Sequence, residues 1–232
     1  MAHPIGIENE SSLHAALKRW YAEPGDRLEV ALEGYIIDIV RGDTLIEIQT
    51  GDFYSIRPKV KALLENHILR LVYPVAKNKW LIKLDPDTGE RIGRRKSPKH
   101  GSWADLFDEL IRFPHLANHP NLQILVALTQ EEELRCADGQ GSWRRKGVSI
   151  VDHLLLEVVE QRTFRDVKDY LALLPNDLES PFTNRQLANQ TSLRMRQAQR
   201  MTYCLYKMGA LERVGRQGRA HLYARTKGLD QR

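Results

Sequence analysis

At 232 residues, with 42% hydrophobic and 28% charged content and a formal net charge of +5, the chain has the composition of a globular protein large enough for one substantial core and a smaller second one. No run approaches the roughly 20 apolar residues of a membrane span, and the leading MAHPIGIENESS lacks the basic-then-apolar pattern of a signal peptide. The two cysteines, Cys136 and Cys204, are far apart and form no CxxC pair, so neither a zinc site nor a disulfide framework is indicated, and a cytoplasmic protein with reduced thiols is expected.

In chain order, Ser11 or Ser12 can cap a helix to about residue 21, with Leu13, Ala16, Leu17 and Trp20 on one face and Pro24-Gly25-Asp26 ending it. Three strands follow, at 27–33, 35–41 and 44–49, with Arg41-Gly42-Asp43 as the turn chemistry of a tight hairpin. A second helix is predicted over 55–67, with Val60, Leu63 and Leu64 inward, and then an apolar strand, ILRLVYPV. Residues 80–84 read as another strand before the turn Asp85-Pro86-Asp87-Thr88-Gly89. Residues 91–100, which contain the start of RRKSPKHG, read as a basic loop, 103–113 as an amphipathic helix and 121–129 as a strand. The segment from Gly139 to Gly141 and the stretch Trp143-Arg144-Arg145-Lys146-Gly147 read as a boundary, dividing the chain into domains 1–147 and 148–232. Beyond it, Val151, Leu154, Leu155 and Val158 stand at helical spacing over 149–161, and a shorter helix over 164–174 stops at Pro175.

The C-terminal segment concentrates the basic charge: from Ser180 to Arg232 there are eleven Lys and Arg against two acids, Glu212 and Asp230. Such an asymmetry points to a polyanion partner. Thr183-Asn184-Arg185-Gln186 is a capping-box pattern for a short helix. A longer helix then runs to Met208 and stops at Gly209, with Ala198, Met201, Leu205 and Met208 as its apolar stripe. Residues 211–214 and 220–224 read as two strands around Gly215-Arg216-Gln217-Gly218. Helix, turn, helix and two-strand wing resemble a winged-helix DNA-binding domain. The resemblance implies Arg194, Arg196, Gln197 and Arg200 as contacts from the second helix, and Arg216 and Arg219 from the wing.

The most telling segment is RLEVALEGYIIDIVRGDTLIEIQT, where Asp38 interrupts one apolar strand and Glu47 and Gln49 interrupt the next. Side chains alternate along a strand, so Glu47 and Gln49 share a face opposite Ile46 and Ile48. Paired carboxylates of this kind suit a hard cation such as Mg²⁺, with the carbonyl of Ile48 as a further oxygen donor. Helix, three-strand meander, helix, strand, with acids on the second and third strands, resembles the PD-(D/E)XK nuclease superfamily. Glu47-Ile48-Gln49 and His14-Ala-Ala-Leu-Lys18 are similar to the competence-protein CoiA-like nucleases within it.

That resemblance implies a restriction-endonuclease-like mixed sheet core followed by a mainly helical winged-helix domain. It further implies an α/β fold and metal-dependent hydrolysis of phosphodiester bonds in DNA, with Mg²⁺ or Mn²⁺ held by Asp38 and Glu47. Glu29 is a further candidate ligand, and His14 and Lys18 lie on one helix face. Gln49 stands where lysine is usual, so the missing positive charge is expected from Lys59, with Lys61 and Lys18 as the alternatives. The alternative is a non-catalytic DNA-binding regulator with a degenerate nuclease fold. No membrane partner is expected, and a homodimer is left open.

Overall fold

The computed structural model of the chain describes residues 11–228; the leading segment, expected to carry no targeting signal, begins outside them. Ser11 starts α1 (Ser12–Tyr21) by accepting the His14 N–H on its Oγ at 3.3 Å. The helix buries Leu13 and Leu17, while Trp20 is 55% exposed, so the apolar stripe is shorter than its spacing predicts. The expected meander follows as β1 (Arg27–Leu32), β2 (Tyr35–Arg41) and β3 (Thr44–Ile48), antiparallel throughout. Leu32 pairs Tyr35 and Arg41 pairs Thr44, leaving two-residue turns. Glu33 (φ +51°) and Gly34 (φ +82°) both adopt the left-handed conformation of a type I′ turn, whose twist matches that of the strands it joins. Asp52 caps α2 (Phe53–Leu63) through the Ser55 N–H at 3.1 Å.

Beyond α2 the structure corrects several expectations. The two strands expected after the helix are one, β4 (Ile68–Leu84), and the basic loop is largely a strand, β5 (Arg91–Lys96). A 3-10 turn (Trp103–Asp105) and α3 (Leu106–Leu110) take the place of one longer helix. The strand expected to end near residue 129 continues through three glutamates as β6 (Leu122–Cys136). The largest change is β7 (Ser149–Phe164), a strand where the apolar spacing predicts a helix. Its Leu154, Leu155, Leu156, Val158 and Val159 occupy both faces, and periodicity does not separate a strand with two partly covered faces from a helix. The result is a mixed α/β chain with one seven-stranded sheet, ordered β1-β2-β3-β4-β6-β7, in which β5 also pairs with β4.

The remainder is α4 (Val167–Leu171), α5 (Asn184–Thr191), α6 (Met195–Lys207), and a separate two-stranded sheet of β8 (Leu211–Gln217) and β9 (Ala220–Arg225). The expected capping box of Thr183 and Gln186 is present, and Gly209 at φ +78° ends α6. The described residues form two compact units. One holds 11–50, 72–102 and 127–161, and the other 51–71, 103–126 and 162–228. The chain passes between them after β3, within β4, after β5, and within β6 and β7.

The second unit has an aromatic core: Phe53 stacks on Phe113 with centroids 5.2 Å apart, and Phe164 on Tyr170 at 5.0 Å. Tyr170 is fully buried, donates its hydroxyl to the Ala117 carbonyl at 3.3 Å, and has its pKa raised by that burial. Burial likewise pushes the Cys204 thiol up to about 12, which makes it a packing residue rather than a nucleophile.

In the first unit Leu13, Leu17, Ile37, Ile39, Leu45, Ile46 and Ile48 supply the apolar interior. Arg41 fastens its margin: Nε donates to Asp26 Oδ1 at 3.0 Å, Nη2 to Asp26 Oδ2 at 2.8 Å and to the Tyr21 carbonyl at 2.7 Å, and Nη1 to Glu23 at 2.6 Å. One guanidinium thus ties the last residue of α1, the following turn and β2. The Arg41 hydrogen bond, and after it the Glu23 N–H, hold the Asp26 carboxyl below the usual range. A depressed carboxylate pKa stabilises the fold above the unfolded-chain value of about 4, and the contribution disappears as pH falls through the folded value. Asp26→Asn is therefore expected to lower the urea midpoint at pH 7. The gap to the parent should close on acidification below about 4; a gap of constant size into acid would show that the charge of Asp26 is not what the clamp uses.

Candidate functional site

The pairing of β2 with β3 stops at Ile39↔Ile46, and the next residue on each strand is an acid, Asp38 and Glu47. Directly opposed residues of an antiparallel pair project to the same face. At this point Asp38 takes over from the ladder, since its Oδ2 accepts the Ile48 N–H at 2.8 Å. His14 Nε2, from α1, lies 3.3 Å from the same oxygen. Glu47 is only 8% exposed and sits between Ile46 and Ile48, at 2% and 3%. Interior carboxylates are costly and are kept where something of opposite charge or a set of donors compensates them. Gln49 follows β3, with its N–H on the Val72 carbonyl at 2.8 Å.

Glu29 joins this neighbourhood through an irregular backbone. It falls between the register pairs Leu28↔Ile39 and Val30↔Ile37, opposite Asp38, and has φ +52°, a left-handed conformation that costs a residue with a Cβ about 1 kcal/mol or more. Its carboxylate accepts from Lys18 Nζ at 2.8 Å. Lys18 is one turn along α1 from His14, and α1 packs against β3. Seven of the sequence-predicted residues, His14, Lys18, Glu29, Asp38, Glu47, Ile48 and Gln49, thus belong to one unit, on α1 and on the meander or directly after it. Strained backbone of this kind concentrates at functional sites.

The other predicted residues belong to the second unit. Lys59 and Lys61 are on α2. On α6, Arg200 pairs with Asp108 at 2.7 Å and Gln197 donates to Asp105 at 2.5 Å, so both are engaged by acids of their own unit. Arg194 and Arg196 are exposed, as are Arg216 and Arg219 at the end of β8 and the adjoining turn. The exposed column of α6 runs through Arg196, Gln199, Tyr203 and Lys207, with Tyr203 40% exposed. Arg213, 4.5 Å from the Tyr206 ring, adds a further cation beside it.

A charged cluster on β6 is absent from the sequence-based expectations. Glu131, Glu132 and Glu133 are 3%, 6% and 5% exposed. Glu133 accepts from Lys79 at 2.9 Å and from Arg135 Nε at 2.6 Å. Burial raises its pKa, but the bonds and charge of Lys79, then of Arg135, prevail and hold it low. Glu131 accepts from Thr129 Oγ1 at 2.5 Å, and His153 Nδ1 lies 3.9 Å from its other oxygen. Burial, and then the charge of Lys79, keep His153 below its ordinary pKa. The signal for the cluster is the run TQEEELR directly after a mostly apolar strand: three consecutive acids on a strand must place at least one on each face.

Among the described residues no group of three or more His, Cys, Asp or Glu side chains is arranged to hold a metal by itself. Asp38 and Glu47, one register step past the ladder end, offer the carboxylate oxygens that a hard dication takes, and Mg²⁺ ordinarily completes its shell with water and phosphate oxygens. The backbone at Glu29 offers a check on this geometry: Glu29→Gly should be about 1 kcal/mol more stable than Glu29→Ala in urea denaturation, because only glycine accepts φ +52° without strain. Equal stabilities would remove the left-handed backbone from the site.

A family described as "Domain of unknown function (DUF8091)" matches residues 11–165, from the cap of α1 to the residue after β7. An uncharacterized protein of Treponema pallidum (strain Nichols) is 34% identical over 235 residues, covering 98% of this chain and 90% of its own. No solved structure matches. With the family match spanning well over half of its length, the chain belongs to the DUF8091 family.

Proposed function

We propose that the chain is a metal-dependent nuclease that hydrolyses phosphodiester bonds in DNA. The reading gives it a restriction-endonuclease-like core in α1, β1–β3, α2 and β4, and a winged-helix module in α5, α6, β8 and β9. The observation that carries it is the meeting of Asp38 and Glu47 one step past the last β2–β3 pair, with His14 on the Asp38 carboxylate. Structural acids at a ladder end do not require a second, interior acid opposite them. The order of elements supports the same reading, as does the exposed basic column of α6.

In this reading Asp38 and Glu47 hold Mg²⁺ or Mn²⁺, with the Ile48 carbonyl as a further donor. The bound ion supplies an activated water and offsets charge on the phosphate. The Ile48 N–H and His14 Nε2 both engage Asp38 Oδ2, which fixes the orientation of that carboxylate. Lys18, whose Nζ meets the Glu29 carboxylate at 2.8 Å, is assigned in this reading to stand in for the lysine that Gln49 replaces, in place of Lys59 on α2. Arg194, Arg196, Arg216 and Arg219 then position the DNA backbone without reading its sequence. The neutral Gln49 favours one second reading, a DNA-binding regulator that does not cut.

The test uses labelled single-stranded and duplex DNA with Mg²⁺, Mn²⁺ or EDTA, on the parent chain, Glu47→Gln and Asp38→Asn. Cleavage that needs the metal and falls by about 100-fold or more in both variants is expected. A rise in the melting temperature with Mn²⁺ that is lost in Asp38→Asn is expected alongside it. DNA binding without cleavage in any metal would transfer the assignment to the regulator.

A further inference from the structure

Six residues, RIGRRK, form β5; all six are exposed, four are basic and none is acidic. Basic side chains on a sheet margin commonly guard against pairing with other chains. A guard needs only charge, whereas Arg91, Arg94 and Lys96 of this strand are each held by a specific contact. Lys96 is opposite Trp80 and Arg94 opposite Ile82, and the Arg94 guanidinium and Lys96 ammonium lie 4.8 Å and 5.8 Å from the centre of the Trp80 ring. Arg91, at 3.0 Å, and Arg94, at 2.9 Å, both donate to the interior carboxylate of Glu132. The path out of the strand is fixed too. The Ser97 N–H bonds the Lys79 carbonyl at 2.8 Å and the Gly101 N–H that of Ala76 at 3.0 Å. A Cβ on Gly101 would come within 2.6 Å of that Ala76 oxygen.

Fixing long cationic side chains before a ligand arrives lowers the ordering cost of binding it. Glu132 balances one of its two arginines, so with Arg95, Lys96 and exposed Lys83 the ribbon keeps a surplus of positive charge. Arg94 is still 51% exposed, and its five N–H donors exceed what Glu132 can take. Guanidinium forks of this kind match phosphate oxygens in bidentate fashion. The hairpin tip is acidic, with Asp85, Asp87 and Glu90, so a polyanion meets the flank of the ribbon and not its end.

We infer that the flank of the β4–β5 ribbon binds the sugar-phosphate backbone of nucleic acid, as a second contact surface besides α6 and the β8–β9 wing. The identity of the polyanion rests on the nucleic-acid reading above. Arg95 and Lys96 project to the two faces of the ribbon, so a backbone lying along its flank meets both, and neither is an anchor to Glu132.

The experiment measures full-length protein binding to labelled single-stranded and duplex DNA in EDTA, by fluorescence anisotropy across a salt series. In Arg95→Ser/Lys96→Ser the dependence of log affinity on log salt should flatten by about two for duplex, near 0.9 for each phosphate the protein no longer neutralises. A control with equal charge loss at exposed positions, Arg112→Ser/Arg144→Ser, should keep the parental slope. An unchanged slope in the ribbon variant overturns the inference, and so does equal flattening in the control, which would reduce the effect to net charge. Competition by polyglutamate as effective as by DNA overturns it in favour of an acidic polypeptide. Flattening together with no cleavage in any metal supports the ribbon and removes the nuclease. Metal-dependent cleavage lost in Glu47→Gln, with an unchanged ribbon slope, does the reverse.

Discussion

A single carboxylate oxygen, Oδ2 of Asp38, organises the N-terminal half of this protein. It accepts the Ile48 N–H where the β2–β3 ladder stops, so a side chain completes the main-chain bonding of the sheet. Because the same oxygen also meets His14, the register of two strands and the placement of α1 are joined at one atom. An amide or an alkyl group there would leave a main-chain donor or the imidazole poorly served, at a cost of about 1–3 kcal/mol for a buried group. The residue on which the proposed chemistry is placed is thus also one the architecture needs, and Glu47 opposite it is held in the interior by the strand so aligned.

The meander is legible in the sequence because its signals are local. Two-residue turns, alternating apolar positions and a serine cap determine α1 and β1–β3 within a residue or two of their expected bounds. Their acids are legible for the same reason, since Asp38 and Glu47 break apolar runs on strands already marked by their turns. The long strands are not legible. The charged half of β6 and all of β5 look like loop by composition, yet each is stabilised by cross-strand partners remote in sequence, such as Arg94 with Glu132 and Lys79 with Glu133. In β7 the apolar spacing fits two periods at once, and only its pairing with β6 decides between them. The left-handed backbone at Glu29 has no signal of its own, because glutamate is an unusual residue for that conformation.

The basic C-terminal segment shows how charge and availability differ. The arginine-rich helix is expected from its sequence to present Arg194, Arg196, Gln197 and Arg200 together. Asp105 and Asp108 engage Gln197 and Arg200, which shifts the exposed column toward Arg196, Tyr203 and Lys207. Helical periodicity gives the angular position of each side chain but carries nothing about acids contributed by a segment some ninety residues earlier. The same distinction applies to β5 in the opposite sense. There an acid remote in sequence, Glu132, orders arginines while leaving them about half exposed.

The two tight turns of the meander also set a sequence of events. Contacts between β1, β2 and β3 join residues close along the chain, whereas bringing β4 to β6 joins residues such as Leu69 and Asn121, whose N–H and carbonyl bond at 2.8 Å. Short loops close faster than long ones, and synthesis delivers the N-terminal segment first. Asp38 and Glu47 thus come together within a span of ten residues, before the ribosome has released the later strands β4, β6 and β7. The slow step is left to the wide part of the sheet, where unpaired strand edges wait longest for partners, so chaperone demand should concentrate on β4, β6 and β7.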